Sequence, residues 1–156
     1  MLALKRNTRI WNTALFCAVF LVITDRFLKS LAQIYWQENP QEIFNFLHLG
    51  FFKNQFIAFS LDTIINPLFF IVPIIIVLLL YFFYALKNQR LYEATGLIFI
   101  IAGAMSNLYD RLFYGYVIDY IDLHYFTVFN LADMMISGGV IYLILHSFLT
   151  KDQQIS

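Results

Sequence analysis

The sequence predicts an all-α integral membrane protein, a four-transmembrane-helix bundle with a small extracytoplasmic extended or β segment. Three observations lead there. Of 156 residues, 61% are hydrophobic and 13% charged, against roughly 25% charged in an ordinary soluble domain. The stretch Thr63 to Leu86 carries no charge and is long enough to cross a hydrocarbon core of about 30 Å. Basic residues gather at alternate ends of the apolar runs, which the positive-inside rule assigns to the cytoplasm.

The first span, about 10–34, follows Lys5, Arg6 and Arg9 and is not closed by a small-x-small cleavage site. It therefore reads as a signal anchor and not as a cleaved signal. The second, about 64–86, opens on Asn66 as N-cap with Pro67 at the first helical position and closes at Lys87 and Arg90. The third covers about 92–113, and the fourth about 129–150, ending at Lys151. Four helices return the chain to the side it started from, so both termini are expected in the cytoplasm. Tyr35 to Asp62 and Tyr114 to Val128 then face outside. In the first of these, Ile57, Phe59 and Leu61 alternate with Phe56, Ala58 and Ser60, the period of a short extended ribbon. No internal repeat interrupts the single domain, 1–156.

A formal net charge of zero gives no general attraction to nucleic acid. Cys17, the single cysteine, excludes an intrachain disulfide and has no His or Cys neighbour for a metal. Tyr109, Tyr116, Tyr120, Tyr125 and Trp36 read as an interfacial aromatic belt. His48, His124 and His146 read as solvated.

Charge placement carries the chemistry. Asp25 lies sixteen residues from Arg9, Asp110 seventeen from Glu93, and Asp133 eighteen from Lys151. At about 1.5 Å per helical residue, each acid sits roughly 24–27 Å from its cytoplasmic boundary, just under the outer surface. A charge in a span costs at least about 2.5 kcal/mol unless paired or hydrated, so three acids at one depth imply a purpose. Asp25 precedes Lys29 by four residues, Asn107 faces Asp110 and Arg111, and Asn130 lies three before Asp133. Asp25, Lys29, Asp110 and Arg111 could simply staple the helices by neutralising one another. Counting Lys29 and Arg111 against the three acids leaves one carboxylate over, with Asp119, Asp122 and His124 close by. Surplus acids in one pocket are the pattern of two carboxylates sharing a proton.

Five fragments, Asp25 to Lys29, Asn54 to Ser60, Gly103 to Arg111, Gly115 to Tyr120 and Phe129 to Asp133, follow one another in an order that resembles the lipoprotein signal peptidase (signal peptidase II) family. Phe56 and Ile57 stand where that family usually has Gly and Ala, and Ser106 where Gly is common. The resemblance implies an intramembrane aspartic endopeptidase of the bacterial inner membrane, needing no cofactor and no metal. Its substrate would be a diacylglyceryl-modified prolipoprotein, cut on the amino side of the lipidated cysteine. Asp119 and Asp133 would be the catalytic pair. Asn54, Asn107 and Asn130 would bond substrate backbone or the pair, while Asp25, Lys29, Asp110 and Arg111 would hold the helices in register. The chain itself lacks a small residue before Cys17 and so does not resemble a lipoprotein. A monomer in contact with membrane lipids is expected, with the Phe56 ring turned outward.

Two rival readings follow from the same residues. Buried acids with Lys and Asn also mark ion or proton carriers, but the inner halves, such as Leu68 to Leu86 and Ile136 to Leu145, are almost wholly apolar. A catalytically impaired homologue that binds acylated peptides is the other, suggested by Phe56 and Ile57.

Overall fold

The computed structural model describes residues 2–55, 66–124 and 126–152. Helix α1 spans Leu2–Leu31 and continues into a π-helical turn, Ala32–Trp36. Strands β1 (Gln41–Phe44) and β2 (Leu47–Asn54) follow, then α2 (Leu68–Lys87) and α3 (Leu91–Tyr114). Strands β3 (Val117–Leu123) and β4 (Thr127–Phe129) precede α4 (Leu131–Asp152). A helix overlaps each expected span, with α1 beginning at Leu2 instead of near residue 10. Among the described residues, α2, α3 and α4 are long and apolar enough to cross a membrane.

The local signals act as read for α2, where the Asn66 side-chain oxygen accepts the Leu68 N–H at 3.0 Å, satisfying one of the first-turn donors. At the same end of the bundle, Gly115 closes α3 with φ of 80°, and its N–H bonds the Arg111 carbonyl. Glycine takes this left-handed conformation without the Cβ penalty other residues meet.

The four strands form one antiparallel sheet in chain order. The expected ribbon at 56–61, including Phe56, Ile57, Ala58 and Ser60, falls outside the described residues; the described strands lie at 41–44, 47–54, 117–123 and 127–129. The signal was missed because these strands do not alternate cleanly; Val117, Ile118, Asp119 and Tyr120 are buried in succession. Register between β2 and β3 shifts between Leu49 and Phe52, a bulge that resets which residues face Asp119.

Helix packing relies on small residues, as expected where lipid supplies no hydrophobic drive. A Cβ at Gly103 would stand 2.4 Å from the Ala132 carbonyl oxygen, and one at Gly139 would stand 2.7 Å from that of Gly96. The α3 and α4 backbones therefore touch. Helix α1 joins them through Ala14, Ala18, Asp25 and Lys29, continued by Ala32 of the π-helical turn, all buried, at the spacing of one helix face. Its other face, with Phe16, Phe20, Ile23 and Phe27, is exposed. Gly139→Ala should lower stability by about 1–3 kcal/mol through overpacking, whereas Gly138→Ala, whose Cβ meets nothing within 4 Å, should be neutral or mildly stabilising. Thermal unfolding in detergent measures both.

Candidate active site

The site grows from a buried cation. Lys29 donates from Nζ to Asp25 at 3.0 Å, to Asp110 at 2.8 Å and to the Asn107 side-chain oxygen at 2.8 Å, and its side chain has no exposure. An ammonium with three hydrogens is thereby fully satisfied. Asp25 is held in turn by four donors from four elements: Lys29, the Ser106 hydroxyl at 2.6 Å, the Tyr120 hydroxyl at 3.2 Å and the Ala132 N–H at 3.2 Å. Asp110 also accepts from Arg26 and from the Ile118 N–H.

Arg26 is a correction to the sequence reading. Asp110 takes its cations from Lys29 and Arg26, and Arg111 instead lines the neighbouring cleft. With Arg26 included, three cations, Arg26, Lys29 and Arg111, stand against four carboxylates, Asp25, Asp110, Asp119 and Asp133, which leaves one over. Tyr120 is a second correction. It is 1% exposed, bonded to Asp25 and accepting the Leu131 N–H, and so takes no part in an interfacial belt. Tyr109 is exposed and stacks under the Arg26 guanidinium. Ser106, legible only as a departure from a glycine pattern, supplies a buried donor.

From this cluster the order passes outward through asparagines. Asn107 accepts from Lys29 and donates to Asp133 at 2.8 Å. Asn130 precedes the first residue of α4 and exchanges bonds with Asp133: the Asp133 N–H donates to the Asn130 side chain at 2.9 Å, and the Asn130 N–H donates to the Asp133 carboxylate at 3.2 Å. This is the reciprocal geometry of a capping box, with Asp at N3. The spacing of three noted in the sequence is thus a helix start. The Asn130 amide also donates to Asp119 at 2.6 Å, and Asn54, from the end of β2, donates to the other Asp119 oxygen at 2.9 Å.

Asp119 and Asp133 both line a cleft of about 770 Å³. Its polar end also holds Asn54, Asn107 and Arg111, and its wall is apolar, formed by Ile71, Ile74, Ile75 and Leu78 of α2 with Ile100 and Ile136. Burial, and after it the negative charge of Asp133, push the Asp119 carboxyl up to about 7, against the opposing pull of the Asn54 and Asn130 hydrogen bonds. Asp119 therefore gives up its proton far less readily than an ordinary carboxyl. All nine residues singled out in the sequence fall within this connected region.

Residues 17–149 match the family described as Signal peptidase (SPase) II. The chain belongs to the lipoprotein signal peptidase family. It is 39% identical over 143 residues to the lipoprotein signal peptidase of Aquifex aeolicus, covering 86% of this chain and 84% of that protein. The Syntrophomonas wolfei lipoprotein signal peptidase is 37% identical over 140 residues, 88% and 91% of the two chains. A solved bacterial membrane enzyme superposes with a TM-score of 0.76 at 28% identity, over 91% of this chain and 90% of that one. Membership makes the protein a membrane peptidase of the aspartic class that removes lipoprotein signal peptides, and the ion-carrier reading gives way.

Lys29→Met should be the most damaging change in the buried cluster, because it leaves Asp25 and Asp110 facing each other with one cation fewer. Breaking a buried pair costs about 3–5 kcal/mol. Arg26→Met should cost less, since that side chain is 27% exposed and water can replace it. Yield of folded protein and melting temperature in detergent check the order.

Proposed function

We propose that Asp119 and Asp133 form the catalytic dyad that hydrolyses the bond before the lipidated cysteine of diacylglyceryl-modified prolipoproteins. The observation that carries this reading is the bridge at Asn130, whose amide donates to Asp119 while its backbone N–H donates to Asp133, with both acids lining one cleft.

In the reaction, the ionised partner removes a proton from water as the oxygen attacks the scissile carbonyl carbon, and the protonated partner hydrogen-bonds the carbonyl oxygen. Collapse of the tetrahedral intermediate breaks the C–N bond, and a dyad proton goes to the departing amine of the lipidated cysteine. The pair titrates as a unit and ends each cycle with one proton. Asn54, Asn107 and Asn130 keep the acids apart and oriented, Arg111 offers its guanidinium to the cleft, and Asp25, Lys29 and Asp110 fix the helices. The isoleucine and leucine wall suits acyl chains or an apolar signal helix. No cofactor takes part in these steps.

In this reading all four helices cross the bacterial inner membrane as one domain, 1–156. Both termini are cytoplasmic, the sheet and dyad lie at the outer face, and the protein works as a monomer among lipids. The basic residues Arg9, Lys87 and Arg90 at one end of the bundle support that orientation.

Asp119→Asn and Asp133→Asn should each abolish cleavage of a lipidated prolipoprotein in a gel-shift assay while leaving the melting temperature near that of the parent. Near-normal turnover in either one removes the dyad. Rate should also fall as pH rises through about 7, because the proton of the pair is then lost. Asn54→Ala deletes a bond that lowers the Asp119 value, so it should move this alkaline limb to higher pH; a limb that stays in place dissociates Asp119 from the rate.

A further inference from the structure

We propose that His48, Asp122 and His124 form a binding site for one divalent transition metal ion, Zn2+ by the chemistry of its ligands, which clamps β2 to β3. By sequence position alone the two histidines are solvated loop residues, and Asp122 has no role beside the dyad. The fold brings them together. His48 and Asp122 are directly opposed across the β2–β3 ladder, and the His48 Nδ1 stands 3.6 Å from the Asp122 carboxylate. His124 lies two residues beyond Asp122, hence on the same side of the ribbon, and its N–H bonds the Phe46 carbonyl, which carries the pairing one step past the strand end. The His48 and His124 rings meet edge to face with centroids 5.5 Å apart. One ligand atom from each of the three residues lies within 4.8 Å of the other two.

Tetrahedral Zn2+ with bonds of about 2.0–2.2 Å sets its ligands about 3.3 Å apart. The His48 to Asp122 separation is close to that already, and rotation of the partly exposed imidazoles closes the remainder. Two imidazoles with one carboxylate favour Zn2+ over Mg2+ or Ca2+, which prefer all-oxygen sets. Three protein ligands leave a fourth position for water. The site is separate from the proposed dyad: Asp119 lies three residues before Asp122, so the pleat sends the two carboxylates to opposite faces of β3. A bound ion would instead tie together the strands that carry Asn54 and Asp119, and so steady the site at a distance.

The test uses the full chain without a polyhistidine tag, purified in detergent and stripped with chelator. Titration with ZnCl2 should show one high-affinity ion per chain retained through gel filtration, with a melting temperature that rises with free Zn2+, and no such rise with MgCl2 or CaCl2. Co2+ in its place should give visible absorption from a low-symmetry site. His124→Ala, at an exposed turn, and His48→Ala should each weaken Zn2+ binding at least about tenfold, as expected when a site loses one of three ligands, while Asp119→Asn should retain it. Absence of retained zinc in the parent protein, unchanged affinity in His124→Ala, or loss of zinc in Asp119→Asn would each overturn the proposal. Because binding is read without substrate, its failure leaves the dyad assignment standing, and failure of the dyad leaves the metal site standing.

Discussion

A fully buried ammonium that must be neutralised governs this fold. Lys29 has no exposure, and a charge left unpaired in such surroundings costs several kcal/mol. Its partners come from α1 and α3, and theirs from β3 and the start of α4. One cation therefore sets the depth at which four elements converge. No buried side-chain nitrogen or oxygen among the described residues lacks a partner, which is what a water-poor interior demands.

The consequence for chemistry is a gradient of charge balance. In the inner cluster, Asp25 and Asp110 are matched by Lys29 and Arg26. One step outward, neutral asparagines replace cations as the immediate partners of Asp119 and Asp133. An amide donor stabilises a carboxylate less than a cation does, so burial wins at Asp119 and its proton is retained to about 7. The same polar network thus serves two ends: strong pairs fix the helices, and weaker donors let burial raise the Asp119 carboxyl. The glycine contacts between α3 and α4 complement this, since they bring Asn107 within reach of Asp133.

Much of this was legible in the sequence because membrane spans restrict where charge can go. Depth counting aligned Asp25, Asp110 and Asp133, and the spacing of Asn130 and Asp133 was visible as a pair before it was visible as a helix cap. What stayed hidden depended on contacts between distant segments. Arg26 stands beside Asp25, yet nothing in sequence spacing shows that it turns to Asp110 on α3. Tyr120 has the composition of a belt residue, and its burial follows from the packing of β3 against Ala32 and Trp36. A small extended or β segment was expected, but β3 was not located within it because burial on both faces of that strand erases the alternation that identifies a surface strand. His48 and His124 are 76 residues apart, and their meeting rests on strand register alone.

The central claim is that Asp119 and Asp133 hold one proton between them near neutral pH. Infrared difference spectroscopy of the purified protein across a pH titration, with the carbonyl stretch of a protonated carboxyl as signal, tests it most directly. The account predicts a carboxylic-acid band that is present in mildly acidic buffer, disappears with an apparent midpoint near 7 and is absent from Asp119→Asn over the same interval. A band that survives unchanged in Asp119→Asn, or a parent protein whose carboxyls are all ionised well below neutrality, would contradict it.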